Sequence, residues 1–421
     1  MKARALSILA LGALLLCGCF DLDAAYKTCT TPGGRCTFAF STQKDASVDA
    51  GMRDGGQAVC SGCFVNGECM SGTARLACGG GGEECKDCAL HEVCGGASGC
   101  QVSASWRLLY TAPGRQTVHA VAPISLDDAW FGSAFFGVEG VDSHLIQYRS
   151  TGFTEVAMPG RLVSVIAVGA PGSAKVYVLR LGTPLAGPTI TVISEPWDGG
   201  AQPENDVVVP SEIRLLSLFA AGSEVFGWAE IGSSAFNIIR IDPTDAGIGL
   251  TVVTPPGDPG FTQIHSASGT SAGDLWVAGG RNEGGGGIAT LAHFHDGGVR
   301  SFPLLSYSFG LWARNPNAAV YVAGEIRLFA RVDDAGVHEL GPMYGLTGET
   351  WSRVWGVDDR AVFAVGSTFA CDGGGTVRSY NGLSLADTCV GDARLTSVGG
   401  TSASDVWAGS TDGGLYRLSS N

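Results

Sequence analysis

Cysteine is the residue type in this chain with the most chemistry to offer. There are 14 in 421 residues, and ten lie between Cys29 and Cys100. Cys60, Cys63, Cys69 and Cys78 read C-x2-C-x5-C-x8-C, and Cys85, Cys88, Cys94 and Cys100 read C-x2-C-x5-C-x5-C. The first two spacings recur 25 residues on, which reads as one small module duplicated over residues 60–100. Cys29 and Cys36 stand ahead of it and are expected to bridge to each other. Paired C-x2-C units serve as disulfide frameworks in oxidising compartments and as zinc ligands elsewhere. Between Val65 and Gly99 apolar periodicity is almost absent. Such a stretch cannot build a core, so cross-links must hold it. Downstream, Cys371 and Cys389 flank an expected hairpin. That placement fits the Cα separation of about 4.4–6.8 Å that a disulfide needs.

Other reactive types are sparse. His293 and His295 alternate on an expected strand, so both face one side and could supply two metal ligands. They stand beside an HDGG turn, where a solvent-facing pair is the plainer expectation. Asp128, Asp274 and Asp405 recur in one pattern, Ser-x-x-Asp-x-Trp. Equivalent residues of separate repeats lie far apart, so an Asx role accepting backbone amides in a turn is expected rather than catalysis or calcium binding. The pairs Asp333-Asp334 and Asp358-Asp359 fall in expected turns. No nucleophile elbow, P-loop or dinucleotide fingerprint is present, and no cofactor is expected. With 26 basic against 40 acidic residues the net charge is −14, which argues against nucleic acid as a partner.

The N-terminus gives an address. Lys2 and Arg4 precede the apolar run Ala5–Leu16, too short to span a bilayer. Leu16-Cys17-Gly18-Cys19 follows and resembles a bacterial lipobox. The resemblance implies a signal peptide over residues 1–18, cleavage before Cys19, and diacylglyceryl and acyl (palmitate-type) modification of that cysteine. Phe20, where an Asp would favour inner-membrane retention, then points to the outer membrane. With Cys17 removed and Cys19 lipidated, twelve cysteines remain, a parity that suits six disulfides. Residues 19–59 form the tether, and Thr37–Val59 within it is rich in Asp, Ala, Ser and Gly.

From Trp106 the text changes to short β-branched runs between Gly-rich turns. The three Ser-x-x-Asp-x-Trp copies contain Trp130, Trp276 and Trp407, with degenerate copies between them at Tyr177, Phe226, Tyr321 and Phe363. The seven aromatic anchors are spaced 42 to 50 residues apart. Four short strands per repeat of that length fit a β-propeller blade. The fourth repeat illustrates it, with runs at 261–266, 275–278, 288–295 and 299–304. The last repeat offers only three strands, and Trp106–Tyr110 has no repeat of its own. Pairing the two closes the ring and removes an open sheet edge. The expected fold is therefore all-β, a seven-bladed β-propeller over residues 105–421 behind the disulfide-rich segment.

The repeat resembles a group of secreted and lipid-anchored bacterial β-propellers in which S-x-x-D-V-W-A-V-G-like copies recur, often behind a Cys-rich module. The resemblance spans Trp106–Asn421 and implies fold and address, not activity. The expected role is a cell-envelope lipoprotein, membrane-bound through its lipid, that acts as a binding scaffold for a protein or glycan. The alternative is a propeller-based polysaccharide hydrolase or lyase. Loops at Gly182–Gly187, Glu195–Asn205 and Gly280–Gly287 are the expected contact regions.

Overall fold

The computed structural model describes residues 60–420 apart from short internal stretches, of which 195–204 is the longest. Cys19, Cys29 and Cys36 lie outside the described residues, as do 183–186, 195–204 and 284–285 of the expected contact loops.

In the cysteine-rich segment four disulfides join Cys60–Cys69, Cys63–Cys85, Cys78–Cys94 and Cys88–Cys100. The first and last stay within one copy of the duplicated spacing. The middle two run between copies, so the copies are interlocked rather than stapled separately. Every one of these sulfurs is already bonded, and a disulfide sulfur offers no thiolate to zinc. Cys60, Cys63, Cys78 and Cys88 are buried, so the bridges themselves occupy the place of a core.

Beyond Ala104 the strands pair as antiparallel meanders. Five sheets have four strands, and one of eight consists of two such meanders joined by a single parallel pair, Ala221 with Gly269. Each meander begins with the strand that meets its neighbours: Thr117–Ser125, Arg161–Val168, Ile213–Ala221, Phe261–Ser271, Ser308–Ala313, Thr350–Asp358 and Leu395–Ser402. Successive first strands pack side by side, and the last packs on the first, so the series closes. At that junction the Ser397 hydroxyl donates to the Val118 carbonyl at 2.8 Å. The final sheet takes its outer strand from the other end of the domain. Ala104–Thr111 pairs antiparallel with Gly414–Ser420, from Gly414 opposite Thr111 to Ser420 opposite Ala104.

The aromatic anchors all stand on second strands and are all buried. Each belongs to a cluster shared with the following meander. Trp130 packs with Leu162 and Val176, Trp276 with Leu311 and Val322, and Phe363 with Leu395 and Val406. Tyr177, Phe226 and Tyr321 repeat the arrangement. Trp407 completes it by packing with Val118 and Phe131 of the first meander. Trimming such a side chain to alanine typically costs about 3–5 kcal/mol. One expected loop is mostly strand: Asp274–Glu283 and Gly286–His295 pair as far as Glu283 opposite Gly286. Gly280–Glu283 and Gly286–Gly287 therefore continue a hairpin ladder.

In the sixth meander Cys371 and Cys389 are bonded, with Cα atoms 5.4 Å apart. Cys371 ends a 3-10 turn at Phe369–Cys371, and Cys389 ends the outer strand Leu385–Cys389.

Candidate functional site

The repeated aspartates make side-chain ties, not the backbone turn bonds expected of them. Each begins a second strand, so its backbone is committed to the ladder and its carboxylate reaches the third strand. Asp274 accepts from His293 Nε2 at 2.6 Å and from the Thr270 hydroxyl at 2.5 Å. Asp405 accepts from Arg417 Nε at 2.7 Å and from the Thr401 hydroxyl at 2.5 Å. Asp128 accepts from Gln147 Nε2 at 3.2 Å. In all three the donor stands directly across the strand pair from the repeat tryptophan. His293 stacks on Trp276 at 3.7 Å between ring centroids, and the Arg417 guanidinium lies 4.8 Å over Trp407. In the first copy the turn is held by its serine, since Ser125 Oγ accepts the Asp127 amide at 3.2 Å.

His293 and His295 do share a face, with rings 5.4 Å apart and nearly parallel, and Asp274 joins them as a third group of ligand type. They line a cleft of about 270 Å3 with Arg300, Asp333 and Asp334. The Asp296-Gly297 turn that sets the cleft edge has both residues at positive φ, 49° and 74°, as a tight hairpin between right-twisted strands requires. Asp274 is nevertheless engaged as a structural tie. Gln147 and Arg417 occupy the position of His293 in other repeats and make the same bond, and neither is a metal ligand. Burial opposes charge on Asp274, but hydrogen bonds from His293 and Thr270, with the imidazoles nearby, outweigh it and hold the carboxyl below its usual range.

A second concave region is the central channel. Its lining comes from all seven first strands, including Val121, Val165, Ser217, Ser266, Leu311, Arg353 and Ser397. One mouth is a pocket of about 200 Å3 lined by His119, Arg161, Leu162, Val163, Leu216, Ser217, Trp228 and Arg353. Neither lining includes an Asp or Glu among the described residues. Arg353 NH1 donates to the Phe309 and Ser352 carbonyls, the latter at 3.1 Å, which clips two adjacent first strands together. Burial lowers its pKa, and no acidic neighbour counteracts that. His119 is pushed down to about 4, mainly by burial, with Arg353 and Arg161 adding to the shift and backbone contacts at Thr117 and Leu162 opposing it. His119 is therefore uncharged near neutral pH.

None of these channel residues stood out in the sequence. A usable signal lay in the repeat alignment. Arg353 stands ten residues before Phe363, where Ser266, Leu311 and Ser397 stand before Trp276, Tyr321 and Trp407. A cation in a column of small or aliphatic residues marks a changed environment.

No protein-family model matches this chain, and no curated protein does. Among solved structures the chain is similar to the WD40 β-propeller domain of Doa1, with a TM-score of 0.52 and 14% identity over 75% of this chain and 96% of that one. It is also similar to YCF48 from Cyanidioschyzon merolae, with a TM-score of 0.51 and 14% identity over 75% and 99%. A third match is YCF48 bound to D1 peptide, with a TM-score of 0.50 and 13% identity over 76% and 96%. At such identities the likeness concerns the fold, and the fold is a β-propeller.

Proposed function

We propose that this chain is a lipid-anchored cell-envelope protein whose propeller is a binding scaffold for a protein ligand at the channel mouth. The observation that carries the reading is the lining of that mouth, which combines cations, an uncharged imidazole and an indole with no carboxylate among the described residues. Glycoside hydrolysis uses two carboxyl groups about 5–10 Å apart. The described channel lining offers none, so binding is favoured over the hydrolase alternative. The peptide carried by one similarly folded propeller supports a protein ligand. The lipobox-like Leu16–Cys19 and the tether supply the address.

Two measurements test this. Cys19→Ser should move the protein from the membrane to the soluble fraction of lysed cells, because one or no acyl chain anchors weakly. Continued sedimentation with membranes would remove the lipid anchor from the proposal. A photo-crosslinking residue at Val163 should join the channel mouth to a discrete envelope protein, while one at exposed Thr154 on an outer strand should not. Equal capture from both positions would sink the scaffold reading.

A further inference from the structure

We propose that the channel mouth is an anion site in which Arg353, assisted by Arg161, binds the carboxylate of a peptide ligand; this rests on the scaffold reading above.

The argument begins with how arginines are treated elsewhere in the molecule. Arg180 meets Asp206 at 2.6 Å, Arg378 meets Asp387 at 2.7 Å and Glu349 at 3.3 Å, and Arg417 meets Asp405 at 2.7 Å. All three of these guanidinium groups are largely buried and matched by carboxylates. Arg353 differs from these three, as does Arg394, which bonds the Ser352 hydroxyl. Arg353 is half-buried in the channel lining, and among the described residues its hydrogen bonds run only from NH1 to carbonyl oxygens. Its Nε and NH2 donors are not among the buried polar atoms lacking a partner, so they face open channel space. Arg161 is exposed on the same mouth and has no ion pair among the described residues.

An unmatched guanidinium in a confined space is costly, because taking a charge out of water costs several kcal/mol unless a counter-charge meets it. Forming the strand clip does not require a cation, since a neutral amide donor could serve two carbonyls. The remaining fork suits a planar two-oxygen acceptor, which a carboxylate presents. The rest of the lining fits a peptide end. Trp228 and Val163 offer apolar contact beside the charge, and Ser217 and His119 offer neutral polar atoms. The protein as a whole carries −14, so a carboxylate is repelled from most of its surface and favoured only where cations are concentrated.

The test uses the full-length protein with labelled histidines and follows the His119 imidazole by NMR at pH 7 and low salt. Acetyl-dialanine, which ends in a free carboxylate, is the probe. Its C-terminal amide, inorganic phosphate and glucuronate are the comparisons. Saturable shifts of His119 with acetyl-dialanine and at least about tenfold weaker binding of the amide are expected, the size of one charge-assisted pair of hydrogen bonds. Arg353→Gln keeps a donor for the strand clip and should weaken acetyl-dialanine by about tenfold without lowering the thermal midpoint. Equal binding of acid and amide, or no saturable shift, would overturn the anion site. Tighter binding of phosphate or glucuronate would overturn the peptide assignment. Acetyl-dialanine binding with no crosslink from Val163 in cells would leave the site standing and remove the scaffold reading.

Discussion

His119 and the repeated aspartates show how single residues carry this molecule's dependence on conditions. An unfolded chain protonates His119 near pH 6.5, and the folded one does so only near pH 4. The contribution is therefore fully present above pH 6.5 and is lost as the pH falls from 6.5 toward 4, where the unfolded state holds more protons. Arg353 and Arg161 are the charges that face it. Between pH 7 and pH 4.5 we expect the unfolding free energy to drop by about 2 kcal/mol more in the native protein than in His119→Gln. Equal drops in denaturant titrations would mean that channel water solvates the charged ring. The aspartates make a graded comparison. Asp405→Ala strands the buried Arg417 and should cost about 3–5 kcal/mol. Asp128→Ala takes an acceptor from the neutral Gln147 amide and should cost about 1–2 kcal/mol. Equal costs would show that charge pairing is not what the Asp405 tie contributes.

At the scale of the strand, the closing segment is the decisive element. Ala104–Thr111 supplies the fourth strand of the last sheet, and Trp106 packs against the cluster holding Leu418 and Phe363. Deleting Trp106–Ala112 should expose the edge of Gly414–Ser420 and lower the thermal midpoint of the whole domain, accompanied by concentration-dependent association through the open edge. An unchanged midpoint would remove the closure argument. Much of this was legible in the sequence, because aromatic anchors and β-branched runs recur with the period of the structure. Strand ends were less legible. Gly280, Gly286 and Gly287 carry no side-chain pattern, and their pairing follows the strands they extend. The channel was illegible for a different reason. His119, Arg161 and Arg353 are dispersed through the sequence and meet only because the ring brings first strands together. Close packing there is strict: a Cβ on Gly310 would lie 2.7 Å from the Arg353 Cα, so the strand that carries the arginine has no room to shift.

Among the described residues the strand-rich domain is a cycle of clusters, each shared by two successive meanders. Losing one sheet would strip apolar cover from two others, so the ring is expected to unfold as a unit rather than sheet by sheet. The junction that completes it joins Ser397 to Val118, 279 positions apart. This has a consequence for biogenesis. A ribosome releases the first meander long before the residues that must lie against it exist. The early sheets therefore wait with one flank bare, and Ala104–Thr111 waits without a partner, until the meander from Leu395 to Ser420 has been made. The export proposed above would thread the chain N-terminus first and unfolded, and this topology would then delay locking until Gly414–Ser420 had crossed.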